Sequence, residues 1–174
     1  MKQKILALTV VSILAAGCAM IEPGTLQPSR EAKKPPVIVQ SFAPKELRPG
    51  AVWKIYLKAS DPEGQMQYIF ATVTQPGHVP YPTSIIRIKG ENQKELSGYV
   101  YLNSPVGDQT NFLNFTLTLT VSIKGTGGFS QPVVFPLSFE AGPTPELPPD
   151  GVFKEQNLGP ISVTLQGGAM GAPR

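Results

Sequence analysis

The side chains able to do covalent or metal chemistry are few. Cys18 is the single cysteine of the 174 residues and His78 the single histidine. One cysteine cannot close an internal disulfide, so Cys18 is either an idle thiol or has a chemical task of its own. Nucleophilic catalysis needs an activated group beside a base. His78 stands in Gly77-His78-Val79-Pro80 with no second thiol to activate, and reads as an exposed loop histidine. A carboxylate pair can hydrolyse glycosides, but the acidic residues fall mostly in turns and near the C-terminus, with no pair placed by the pattern. Calcium takes about six to eight oxygen ligands. Asp61 and Glu63 are followed by Gln65 and Gln67 rather than further carboxylates, with Asp108 the other candidate, so Asp61 to Gly64 reads as a plain turn. No glycine loop that could cradle phosphate leads into a helix, and no His or Cys cluster has metal spacing. Catalytic residues, metal and cofactor are therefore all expected to be none. Asn114-Phe115-Thr116 fits a glycosylation sequon formally, inside a strand pattern.

The setting of Cys18 gives it the task. Lys2 and Lys4 precede an apolar run from Ile5 to Ala16, broken only by Thr9 and Ser12, the charge and hydropathy pattern of a secretory signal. The run falls short of the ~20 apolar residues that span a bilayer. It ends in Leu14-Ala15-Ala16-Gly17-Cys18, which resembles the lipobox of bacterial lipoproteins. That resemblance implies removal of residues 1–17, a diacylglycerol on the Cys18 thiol and three acyl chains on the mature cysteine. At ~0.8 kcal/mol per buried methylene this exceeds what stable anchoring requires. Lipoboxes more often carry Leu three residues before the cysteine, where Ala15 stands here, which leaves cleavage by ordinary signal peptidase as the alternative. Ala19 in place of Asp resembles the outer-membrane sorting pattern, if the host has an outer membrane.

Loss of the signal changes the charge argument. The full chain is formally +3, but with Lys2 and Lys4 gone 13 basic side chains face 12 acidic ones and the net charge is +1. Nucleic acid loses its main support as a partner. Lys33-Lys34, near Arg30 and Glu31, reads as part of a solvated tether.

Composition divides the mature chain. Residues 18–36, with Pro23, Gly24, Pro28, Pro35 and Pro36, read as a flexible lipid-anchored tether. Residues 141–174, with Pro143, Pro145, Pro148, Pro149 and Gly167-Gly168, read as a mostly disordered tail holding one short strand candidate, Ile161 to Leu165. Residues 37–140 are of ordinary size for one domain.

Within that domain the apolar period is two. Leu113, Phe115, Leu117, Leu119, Val121 and Ile123 alternate with Asn114, Thr116, Thr118, Thr120 and Ser122; Trp53, Ile55, Leu57 and Ala59 alternate with Lys54, Tyr56, Lys58 and Ser60. Val133, Phe135, Leu137 and Phe139 repeat the pattern. Such alternation predicts half-buried antiparallel strands. Weaker candidates are Val37 to Ser41, Met66 to Thr74, Ile85 to Ile88 and Ser97 to Leu102. About seven strands, turn signals at Arg48-Pro49-Gly50 and Asp61-Pro62-Glu63-Gly64, and no helical period predict an all-β sandwich. The order of strand lengths over 37–140 resembles immunoglobulin-like or fibronectin-III-like domains, and Ala59 to Gly64 resembles the strand-ending turn of bacterial cadherin-like modules. The resemblance implies a single Ig-like antiparallel β-sandwich, without the antibody cysteine pair.

Two surfaces follow from that order. If the second and fifth strands are neighbours, Lys54, Tyr56 and Lys58 join Tyr99 and Tyr101 in an outward face. Tyrosine offers contact area and a hydroxyl to a partner or glycan; it is also simply a good strand residue. On the other sheet Thr116, Thr118 and Thr120 lie outward beside Tyr68 and Phe70, with Val134 if the parity holds, and Pro136 marks an edge strand able to accept a strand from a partner or from Ile161 to Leu165. The expected function is a non-catalytic, membrane-anchored envelope lipoprotein that binds another envelope protein. A surface adhesin or glycan-binding module, and an enzyme or calcium-dependent protein, are the alternatives.

Overall fold

The computed structural model describes residues 33–77, 79–104, 115–144 and 146–165. The signal segment, Cys18 and the tether up to residue 32 lie outside the described residues, as do His78, Asp108, Asn114 and 166–174.

Among the described residues ten strands form: β1 (Val37–Phe42), β2 (Glu46–Leu47), β3 (Val52–Ser60), β4 (Met66–Thr74), β5 (Ser84–Arg87), β6 (Glu95–Asn103), β7 (Thr116–Gly125), β8 (Gly128–Phe129), β9 (Val133–Phe139) and β10 (Asn157–Pro160). A single 3-10 turn, Gly90–Asn92, is the one helical element among the described residues. One sheet runs β1-β3-β6-β10; the other runs β2-β9-β7-β4-β5, with β8 folded back on β7. The chain changes sheets between β1 and β2, where the indole Nε1 of Trp53 donates to the Pro44 carbonyl at 2.8 Å. This is an immunoglobulin-like sandwich: β1, β3 and β6 take the A, B and E places, and β4, β7 and β9 the C, F and G places.

Alternation explains why these segments pair as they do. Trp53, Ile55, Leu57 and Ala59 on β3 face Leu117, Leu119, Val121 and Ile123 on β7 across the core, all buried. Phe135, Leu137 and Phe139 extend that core along β9. β4 keeps its pattern by a register shift between Met66 and Tyr68, which lets Met66 and Ile69 both point inward. Pro136 sits opposite Thr118 where β9 has β7 on one side only, since the two-residue β2 pairs no further than Ser138 and Phe139. A proline without an N–H to offer is tolerated at such an edge.

Both ends of the domain differ from the sequence expectation. The tail read as disordered contributes β10, which pairs in parallel with β6 at the edge where a D strand stands in immunoglobulin-like sandwiches. Beyond it Ile161 and Leu165 are buried in the main core, and Ser162 N donates to Ser84 Oγ of β5 at 2.9 Å. The tail thus closes the gap between the two sheets, because a free edge and an uncovered core rim outweigh its Pro- and Gly-rich composition. The ladder forms four residues earlier than Ile161 to Leu165, and on β6 rather than on the open edge of β9. The end of the tether is docked as well. Lys33 Nζ donates to Gln65 Oε1 at 2.6 Å, Lys34 N to Glu63 Oε1 at 3.2 Å, and Pro36 is buried. The Lys34 backbone crosses Gly127 in the β7–β8 turn so closely that a Cβ there would overlap its carbonyl.

Candidate interaction surface

Antiparallel pairing of β3 with β6 sets Lys54 opposite Tyr101, Tyr56 opposite Tyr99 and Lys58 opposite Ser97. Directly opposed residues share a face, so Lys54, Tyr56, Lys58, Tyr99 and Tyr101 do come together. The Tyr56 and Tyr99 ring centroids are 5.6 Å apart, and Lys54 Nζ lies 4.4 Å from the centre of the Tyr99 ring. That placement brings a cation over a ring face whose quadrupole attracts it.

The face is not open, which corrects the expectation of a free tyrosine surface. Residues 151–156 cross it as a strap before entering β10. The Phe153 ring packs 5.6 Å from that of Tyr56, and Tyr56 is only 5 % exposed. Glu155 is the central contact: its Oε1 accepts from the Tyr56 hydroxyl at 2.6 Å and its Oε2 from Lys54 Nζ at 3.0 Å. Lys154 N donates to Ser97 Oγ at 3.1 Å and Tyr99 N to the Gln156 carbonyl at 2.8 Å. Gly98 makes this approach feasible, because a Cβ there would overlap the Gln156 carbonyl and stand 3.0 Å from Leu158 Cγ. Lys58 stays exposed at the rim of an open cavity of about 370 Å³ beside Val39, Glu95, Val152 and Phe153. A lone phenylalanine and an acid two residues apart in a Pro-rich stretch were the available signal for the strap.

The cluster is mutually polarised. The hydrogen bond to Glu155 raises the Lys54 pKa against partial desolvation. Burial, then the same carboxylate, raises that of Tyr56. The Tyr56 hydroxyl and then the Lys54 ammonium lower that of Glu155. Glu155, depressed on folding, contributes stability that is complete above the ordinary carboxyl value of 4.5 and lost as pH falls through its lowered value. Lys54 and Tyr56, both raised, contribute stability that is complete below 10.0 and lost as pH rises through their folded values. The Lys54 and Glu155 side chains are 41 % and 63 % exposed, so solvent screens their ion pair to about 1 kcal/mol or less. Glu155→Gln is expected to lower Tm by roughly 2–4 °C at neutral pH. The difference from wild type should vanish in strong acid, measured by thermal melts across pH.

Asp61 is explained by the turn it builds. It is 2 % exposed, its Oδ1 accepts from Glu63 N at 3.0 Å and its Oδ2 from Gln65 N at 3.2 Å. Gly64 N donates to the Asp61 carbonyl at 2.8 Å, and Gly64 takes φ +67° to end the turn. Its carboxylate is thus engaged by backbone donors rather than aimed at a cation. Among the described residues no group of three or more His, Cys, Asp or Glu is arranged to hold a metal. Asp61→Ala strands two donors and is expected to cost about 2–3 kcal/mol in a denaturant melt. The same loss with calcium or with chelator is the expected result.

The opposite face carries Thr116, Thr118 and Thr120 on β7 and Tyr68 and Phe70 on β4, with Val134 on β9 58 % exposed. Sequence reading missed Phe129, which stacks edge-on to Phe70 at 5.1 Å. Gly127-Gly128 after β7 was the signal, since paired glycines mark a tight hairpin that returns the next residue to the same sheet.

No family model matches the chain, and no curated protein matches it. Among solved structures it is similar to the PKD domain of an M14-like peptidase from Thermoplasmatales archaeon SCGC AB-540-F20, 12 % identical, with a TM-score of 0.38 over 63 % of this chain and 99 % of that one. It is also similar to the CARDB domain of a Pyrococcus furiosus protein in complex with di-metal ions, 9 % identical, with a TM-score of 0.33 over 60 % of this chain and 86 % of that one. At such values neither likeness speaks to function, and the sandwich assignment stands on strand order and packing.

Proposed function

We propose that the chain is a bacterial envelope lipoprotein, anchored through acyl chains on Cys18, whose immunoglobulin-like sandwich is a non-catalytic module for binding or assembling another envelope protein. The carrying observation is Leu14-Ala15-Ala16-Gly17-Cys18 at the end of a charged and then apolar N-terminus. The outer membrane is the proposed location where the host has one. The strap over Lys54, Tyr56 and Tyr99 removes the main support for an adhesin or glycan site, because the tyrosine face is engaged within the chain. The partner surface is the threonine end of β7, Thr116 and Thr118, which no described segment crosses, with the one-sided stretch of β9 at Pro136 beside it. Main-chain groups free at such an edge can pair with an added strand.

A photo-crosslinking residue at Thr118 in cells is expected to give one discrete adduct whose partner is an envelope protein. The same residue at Tyr56, beneath the strap, should give none. Adducts from Tyr56 and none from Thr118 would move the binding surface to the strapped face.

A further inference from the structure

We infer that the end of the larger sheet nearest the tether, Phe129 with Phe70, Tyr68 and Ile85 between Lys124 and Arg87, docks on the bilayer surface in which Cys18 is anchored. The inference rests on the anchor proposed above. Cross-strand pairing fixes these residues on one face: Tyr68 stands opposite both Arg87 and Lys124, Phe70 opposite Ile85, and Phe129 opposite Lys124. The neighbouring inward positions, Ile69, Ile86 and Ile123, belong to the core. Ile85 is 59 % and Phe129 51 % exposed, with no described segment covering them. Tyr68 meets Phe70 at 6.5 Å and Phe70 meets Phe129 at 5.1 Å, so the rings form one continuous ridge.

Two observations select a lipid surface as the occupant. The first is charge. Lys124 Nζ lies 5.5 Å from the centre of the Phe129 ring, Arg87 closes the other side, and neither makes an ion pair with a described carboxylate. Asp61 and Glu63, in the turn before β4, accept from backbone N–H groups instead. Aromatic rings flanked by basic side chains suit the headgroup boundary, where apolar burial and attraction to anionic lipid add. The second is where the tether arrives. Lys33 and Lys34 lie against Gly127, two residues from Phe129, so the chain leading from Cys18 enters the domain at this ridge and away from Thr116. The 14 residues between Cys18 and Lys33 reach at most about 50 Å. That tether holds the ridge at a high effective concentration near the bilayer, so weak insertion becomes significant. The threonine end of the sheet then points away from the membrane, toward a partner.

The test uses the full-length protein expressed with its signal segment and carrying Phe129→Trp, beside the same protein with Cys18→Ser, each mixed with phosphatidylcholine vesicles containing phosphatidylglycerol, with and without bromine on the acyl chains. Trp53 is fully buried and supplies a constant background. Brominated lipid is expected to remove roughly half of the emission of the introduced indole, as insertion at the headgroup boundary requires. Adding Arg87→Glu and Lys124→Glu should restore most of it. Protein that floats with the vesicles but shows no quenching would overturn the docking and leave the ridge to a protein partner, with the anchor intact. Protein that does not float, behaving as the Cys18→Ser variant does, would overturn the anchor and the docking together. Quenching in both forms would support the docking and overturn its dependence on the anchor.

Discussion

Gly98→Val is expected to release the strap, open the Lys154–Glu155 bond to trypsin and lower stability by about 3–5 kcal/mol, up to the ~1.5–3 kcal/mol each that Ile161 and Leu165 gain on burial. The cause is steric and local. Any Cβ at Gly98 overlaps the Gln156 carbonyl, a backbone atom that cannot swing aside as a side-chain end would. Moving Gln156 breaks its bond to Tyr99 N and shifts β10, which feeds Ile161 and Leu165 into the core. In the wild type the Lys154 amide is held on Ser97 Oγ, which should protect the adjacent bond. Limited proteolysis with mass spectrometry reads the release and a urea melt reads the stability. A variant as resistant and as stable as wild type would mean that the tail does not dock as described.

Trp53→Ala is expected to cost about 3–5 kcal/mol and about 10 °C or more in Tm. Trp53 is fully buried near the start of β3 and is the largest side chain so placed. Its removal leaves a cavity among neighbours that can only partly close, and frees the Pro44 carbonyl from its indole donor. Since domains are stable by only ~5–15 kcal/mol in total, the variant should be near unfolding at 37 °C. Trp53→Phe separates the two terms: it keeps most of the volume and loses the bond, and should cost about 1–2 kcal/mol. Equal losses for the two variants would show that the hydrogen bond at the β1–β2 crossover, rather than core volume, fixes the indole.

Six of the seven main strands were legible because each buries one face, β1 being the mostly exposed exception, and period two in β3, β7 and β9 is the direct consequence of a pleated chain beside a core. The parity of β3 and β6 likewise put Lys54, Tyr56, Lys58, Tyr99 and Tyr101 on one face before any pairing was known. What covers that face was not legible. Asn157-Leu158-Gly159-Pro160 has no alternation and contains three strand-disfavoured residues, yet it forms β10 because β6 presents a free edge to it. Ile161 and Leu165 point into the core just past the strand, with Ile161 N still donating to the Tyr101 carbonyl of β6. Glu155 acquires its role from Tyr56, 99 residues away in the chain, a contact that no local pattern encodes. The same holds for Lys33 and Lys34. Their charge and proline neighbours read as a solvated tether, while their backbone is seated against a glycine turn more than 90 residues later.

The anchor is the claim on which localisation, partner class and membrane docking all depend. Metabolic labelling with a clickable palmitate analogue, wild type beside Cys18→Ser, followed by membrane fractionation, addresses it directly. Label and membrane retention present in the wild type and absent from the variant are expected. Both forms recovered as unlabelled soluble protein would contradict the anchor and leave a free exported sandwich in its place.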